Sequence, residues 1–471
     1  MAFRRPYRYF SIMKMKLIFF TALFFAVRML AVSAEGPGNP QVLTVDGAVK
    51  IALDNNLSLR RSAIDLGTKK RASDRSWNSL LPTLGASAMV SRPTSVTGEI
   101  LPRQTVSPDG KPQDREVWTP GFSLSAGITL SASVVENIKK ARADYEAGLL
   151  SYEAAEQELE LQVRKLFYQI LLLDANRELA AQNFESAKNR YEQAAALVRV
   201  GQAPRLDELS AQVDMENMRP AVRNAEIIYE NALDSFRTIL GISPETALIL
   251  DGNLNAGIAQ HDNPGYFDAG SIPNVTAGES LEASRLLTSI RSMEAQRKAV
   301  RNSAYIPSLR LSWTSTPMYN LEHGYWNDSG SFSISLGLSI DSFLPWSNAK
   351  TQIDALNDNI RATEIQLTES LRNRDNRINQ NIKTIERILE SLASMNLNVE
   401  LAQHTYEMVE DAFKRGAADY QRLRNAGDGL EQAKNRLLSE QYNLAAALLD
   451  LEKELNIPFG TLNGNTLNKG E

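Results

Sequence analysis

Two hydrophobic periods alternate along this chain, and each is used twice. Residues 122–130 read Phe-Ser-Leu-Ser-Ala-Gly-Ile-Thr-Leu and residues 332–340 read Phe-Ser-Ile-Ser-Leu-Gly-Leu-Ser-Ile. Alternation of this kind predicts strands, here over 121–131 and 331–341. Residues 82–92 and 307–314 alternate in the same way and supply a hairpin partner for each. Between the strands the period becomes helical. Positions 159, 163, 166, 170, 173, 177, 180, 184, 187, 191, 194 and 198 step by fours and threes, and only Arg177 breaks the apolar stripe. A seam sustained over this many heptads belongs to a coiled coil. It predicts a long helix over 134–199, about 100 Å of rod at 1.5 Å per residue.

The seam breaks at Val200-Gly201-Gln202 and resumes over 203–241, where Pro220 is expected to kink it. A second copy follows the same plan, with a helix at 279–305, a long helix at 346–414, a break at Arg415-Gly416-Ala417 and a last helix at 417–456. Gly201 to Ile242 and Gly416 to Ile457 span equal distances, so the duplication keeps register to the residue. The chain therefore divides into a first repeat over 35–242, a Pro-, Gly- and Asn-rich linker over 243–278, a second repeat over 279–457 and a polar tail over 458–471. The first repeat opens with a helix from Thr44 or Asp46 to about Leu81, stopped by Pro82.

The N-terminus reads as a signal peptide over 1–34. Arg4, Arg5, Arg8, Lys14 and Lys16 precede the apolar run Leu17–Val27, and Val32-Ser33-Ala34 offers small residues for cleavage. With Arg28 the leader holds six basic residues and no acid. Its removal lowers the 51 basic residues to 45 against 56 acidic ones, a balance unsuited to nucleic acid. The chain has no cysteine, which excludes disulfides and thiolate metal sites. Its three histidines, His261, His323 and His404, are scattered, and neither a P-loop nor a dinucleotide fingerprint is present. No catalytic residue, cofactor or metal is expected.

The strands carry an unusual burden. Phe122, Leu124, Ile128, Leu130, Leu309, Leu311, Phe332, Ile334, Leu336 and Leu338 form one apolar face; the other is Ser, Gly and Thr, with Met89 and Arg310 as exceptions. The helices spend their apolar stripes on one another, so lipid is the natural cover for the sheet. Nine to eleven residues suffice for a tilted strand to cross a bilayer. Trp118, Trp313, Trp326 and Trp346 lie at strand ends or in adjoining loops, as an interfacial belt requires. Four strands cannot close a barrel, and a bilayer does not tolerate an open edge. Several chains must therefore share one.

On these features the chain resembles the TolC family of outer-membrane factors. The carriers are Leu43-Thr44-Val45-Asp46-Gly47-Ala48-Val49-Lys50-Ile51-Ala52-Leu53-Asp54-Asn55-Asn56, Leu80-Leu81-Pro82-Thr83-Leu84, the paired strands and the two glycine-centred turns. The resemblance implies a mainly α fold with a small membrane β part. Long coiled-coil helices of a homotrimer form an α-helical barrel, capped by a 12-stranded outer-membrane β-barrel with four strands per chain. It implies an exit duct of a tripartite efflux or type I secretion system, in the bacterial outer membrane and reaching into the periplasm. Its partners are then a periplasmic adaptor (membrane fusion protein), an inner-membrane transporter and outer-membrane lipid. By the same resemblance Val200, Gly201, Gln202, Arg415, Gly416 and Ala417 are adaptor-docking turns. The family's periplasmic gate maps to Asp207, Arg422 and Asn425, with Arg422 and Asn425 where an acidic ring is usual, so an Asp207–Arg422 pair is expected to hold the end shut. Two other readings use the same pattern: a passive channel for small solutes, and a periplasmic coiled-coil adaptor without a pore.

Overall fold

The fold starts where a threonine supplies the first cap. In the computed structural model, which describes residues 41–91, 105–106, 112–113, 119–254, 280–320, 325–327 and 329–462, β1 (Gln41–Leu43) leads into α1 (Val45–Asn55). Thr44 is extended and accepts a hydrogen bond from the Gly47 amide at 3.3 Å, satisfying one of the free donors of the first turn. The signal-peptide residues lie outside the described residues.

The first helix does not run unbroken to Leu81. It stops at Asn56 and restarts as α2 (Leu57–Asp74), followed by a 3-10 turn over Ser76–Leu80. Asn56 does the interrupting with both ends of its side chain. Its Oδ1 accepts from the Leu59 amide at 3.0 Å, and its Nδ2 donates to the Ile239 carbonyl at 2.8 Å. A cap that reaches a distant helix outweighs the local helical preference on either side of it.

β2 (Thr83–Ser91) comes next, then the two-residue strands β3 (Thr105–Val106) and β4 (Pro112–Gln113), and β5 (Thr119–Leu130). The long helix α3 (Ala132–Arg199) starts at a Ser131 cap and returns as α4 (Arg205–Leu240). Pro220 lies inside α4, which continues through it. After α4, β6 (Leu248–Leu250) pairs in parallel with β1, so part of the expected linker is a strand that closes the two ends of the first repeat against each other. Residues 255–278 of that linker lie outside the described residues.

The second repeat holds α5 (Leu281–Tyr305), β7 (Ser308–Ser315), β8 (Met318–Asn320), β9 (Tyr325–Asn327), β10 (Gly330–Gly337), α6 (Asn348–Lys414) and α7 (Tyr420–Leu455). β10 ends four residues short of the expected 341. Gly337 pairs with Ser308, the first residue of β7, so Leu338 has no partner, and the chain enters a 3-10 turn at Ile340–Phe343. The tail is also less free than its composition implies. Buried Glu452 accepts from the Gly460 and Leu462 amides at 2.8 and 2.7 Å, fixing residues 458–462 against α7.

The apolar core lies between helices rather than under the sheet. Ala48 and Ala52 of α1, Val163, Phe167 and Ile170 of α3, and Phe236 and Leu240 of α4 form one cluster. Ile385, Ile388 and Leu392 of α6 with Leu444, Leu448 and Leu451 of α7 form another. Each large side chain buried this way contributes about 1.5–3 kcal/mol. Leu206, Val213, Ile227, Ile365, Leu397 and Met408 on the same helices stay exposed on the protomer. No described helix is long and apolar enough to cross a membrane.

Candidate functional site

Two surfaces stand out, a six-stranded sheet at one end and two helical turns at the other. The sheet is antiparallel; its four long strands run in the order β10-β7-β5-β2, so the first repeat's β5 pairs with the second repeat's β7, and the short β8–β9 hairpin joins β5 where Gly121 meets Met318. Its register sorts the residues cleanly. Leu336, Leu309 and Leu130 form one cross-strand row, Ile334, Leu311 and Ile128 the next, and Phe332, Trp313, Ala126 and Leu84 a third. Phe122 and Leu124 extend the same face opposite Ala88 and Ala86. Because side chains alternate across a strand, the intervening rows face the other way. They read Ser335–Arg310–Thr129, Ser333–Ser312–Gly127–Thr83 and Ser331–Thr314–Ser125–Gly85.

The apolar face has no cover within the protomer. Leu84 is 81% exposed, Ile334 65% and Leu336 72%. Of the ten apolar positions marked in the sequence, nine lie on β5, β7 and β10, and Leu338 sits one residue beyond β10. Aromatic residues gather at both ends of the sheet. Trp326 packs on Phe122 and Tyr319, with ring centroids 5.4 and 5.3 Å away, while exposed Trp346 and the Phe343–Tyr305 pair lie where strands give way to helices. Trp118 falls outside the described residues. Among the described residues β2 pairs only with β5, and β10 only with β7, leaving two unsatisfied edges.

The helical turns at the far end are built alike. Gly201 and Gly416 have φ of 76° and 71°. In the first, the Gln202 amide donates to the Leu197 carbonyl at 2.9 Å; in the second, the Ala417 amide donates to the Ala412 carbonyl at 2.8 Å. A left-handed residue that lets the chain satisfy the last carbonyls is the usual task of a helix-ending glycine. Val200, beside Gly201, is 66% exposed. Asp207 lies in the first turn of α4, and Arg422 in the first turn of α7, where its amide donates to the capping Asp419 carboxylate at 2.8 Å. No ion pair joins Asp207 to Arg422 within the protomer. The Asn425 carbonyl oxygen accepts from Gln421 at 2.9 Å.

What joins the two hairpins instead is a buried cluster that the apolar stripe alone does not mark out in the sequence. The Tyr420 phenol donates to Asp214 Oδ2 at 2.8 Å, and Arg424 lies 3.4 Å from Asp214 Oδ1. Tyr420, Asp214 and Arg190 are all buried. Burial, and then the hydrogen bond to Asp214, push the Tyr420 phenol well above its ordinary value. Ala194, Ala211, Phe413 and Leu423 pack around the cluster. Arg190 passes over Gly427, where a Cβ would meet its Nη1 at 3.4 Å. The available signal was spacing: Asp214 and Tyr420 stand three residues from Ala211 and Leu423, on the same helix faces.

Residues 48–242 match the family described as outer membrane efflux protein. Over that stretch the chain is similar to outer membrane efflux proteins. The solved structures agree on the fold. The Campylobacter jejuni CmeC outer membrane channel is 16% identical with a TM-score of 0.69, over 92% of this chain and 91% of that one. The outer membrane protein VceC of Vibrio cholerae is 13% identical with a TM-score of 0.68, over 88% and 96%. The open-state MtrE outer membrane channel of Neisseria gonorrhoeae is 17% identical with a TM-score of 0.66, over 88% and 89%. No curated protein matches the sequence. The family match over 48–242 and the shared channel fold support an exit channel of the outer membrane that extends into the periplasm.

Proposed function

We propose that three copies close into one duct and that this duct is the outer component of a tripartite efflux or secretion assembly. The observation that carries the reading is the sheet: one lipid-compatible face, and two unpaired edges at β2 and β10. An edge in a bilayer is costly because its amides and carbonyls find no water. Pairing β2 of one protomer with β10 of the next satisfies both edges at once, and head-to-tail repetition closes a ring. Two copies give eight strands, which side chains fill; three give twelve and leave a bore. Exposed Leu206, Val213, Ile365 and Met408 then become contacts between neighbouring helices.

The Gly201 and Gly416 turns end the helical part and present Val200, Gln202, Arg415 and Ala417 to an adaptor hairpin. Asp207 and Arg422, neither in an ion pair among the described residues, are available to pair between protomers and hold this end shut, beside the Asp214–Tyr420 contact. A planar bilayer tests the duct. Protein extracted intact from the outer membrane is expected to give discrete conductance steps, and a silent bilayer contradicts the reading. Cross-linking from a cysteine at Gln202 is expected to recover an adaptor, whereas a passive channel recovers none.

A further inference from the structure

Arg310 is the only ionisable residue in β2, β5, β7 and β10. It lies in the row Ser335–Arg310–Thr129, on the hydroxyl-rich face, and all three residues are exposed. Its strand neighbours Leu309 and Leu311 belong to the apolar face. The parity of β7 therefore places the guanidinium opposite the lipid side. Among the described residues it has no ion-pair or hydrogen-bond partner. Its height is also informative: Ser308 opens β7 directly after α5 and Pro307, and Thr129 lies three residues before α3 begins. Arg310 thus stands at the neck where sheet gives way to helices.

A lone unpaired charge is an expensive residue to keep in a strand unless it faces water. On the reading that three chains close one barrel around their hydroxyl-rich faces, we infer that Arg310 forms a ring of three guanidinium groups lining the neck of the duct, and that this ring favours anionic permeants. Nothing on the same face offsets it, since its neighbours are Ser, Thr and Gly. A charged ring between low-dielectric walls concentrates the opposite ion, and rings of Arg or Lys are how pores select for anions. The class of solute favoured carries carboxylate, sulfate or phosphate groups.

The reversal potential of single channels across a potassium chloride gradient tests this. Arg310→Ser matches the surrounding row and is expected to lower the chloride-to-potassium permeability ratio roughly two-fold or more at about 0.1 M salt. Arg310→Glu lowers it further, and Arg310→Lys keeps it. Because the chain has no cysteine, Arg310→Cys provides a control in channels already folded and open: a cationic thiol reagent restores the wild-type ratio and an anionic one depresses it. A conducting wild type whose ratio is unmoved by Ser, Glu and both reagents overturns the ring while leaving the duct intact. A wild type that never conducts overturns the duct, and the ring with it.

Discussion

Tyr420 donates its phenol proton to Asp214 at 2.8 Å, joining the first residue of α7 to the second hairpin arm of the other repeat. Both residues are buried, so the bond cannot be exchanged for one with water. Removing the phenol oxygen leaves the Asp214 carboxylate with the more distant Arg424 contact at 3.4 Å.

Tyr420→Phe is therefore expected to weaken the packing between the hairpins by about 1–3 kcal/mol. Hydrogen exchange of the amides near Asp214 and Tyr420 is the readout, and they should exchange at least several-fold faster than wild type, while amides in the sheet remain unchanged. Exchange at the wild-type rate would mean that the apolar cluster of Ala194, Ala211, Phe413 and Leu423 suffices alone.

Glu431 makes the same region sensitive to pH. Burial raises its carboxyl above the ordinary 4.5, and Asp428 adds to this, against the lowering effects of Asn183 and Arg190. A raised carboxyl disfavours the ionised form in the packed state. Packing is thus strongest below the ordinary value and is lost as pH rises through the raised one. Single-channel recordings should show more frequent opening near neutral pH than at about pH 4, and Glu431→Gln should flatten that part of the profile. A variant that keeps the full wild-type dependence assigns the effect to another group.

Two glycines of similar conformation should respond differently to alanine. Gly201 has φ of 76° and open space where a Cβ would stand, with no atom within 4 Å, so Gly201→Ala bears only the left-handed backbone cost of about 1–2 kcal/mol. Gly241 has φ of 68°, and a Cβ there would stand 2.5 Å from the Asn55 carbonyl oxygen. Gly241→Ala must also displace the break between α1 and α2, and should lower thermal stability more. Equal shifts in the two melting curves would show that the Asn55 segment yields freely.

The strands and the long helices were legible because each keeps one period for many residues. The duplication made them more so, since Gly201 and Gly416 mark the same event twice. The Asn56 break was not legible, because its cause is a carbonyl at Ile239, far away in sequence. The β1–β6 pair was hidden for the same reason: three residues at the start of the first repeat and three in the linker carry no period of their own. At the tips, charge drew attention to half-buried Asp207 and exposed Arg422, whereas the contact formed within the protomer is buried and pairs an acid with a phenol. Polar residues on a seam are harder to read than polar residues off it.

The closing of β2 against a neighbour's β10 is the central claim, and the cysteine-free chain allows it to be tested directly. Ser87→Cys on β2 is combined in turn with Ser331→Cys, Ser333→Cys and Ser335→Cys on β10, and each pair is oxidised in the membrane. Within one protomer β2 and β10 lie three strand spacings apart, about 14 Å, which no disulfide can bridge. The account predicts that at least one pairing yields covalent dimers and trimers and nothing larger. Monomer alone in all three pairings, or a ladder that continues past three, would contradict it.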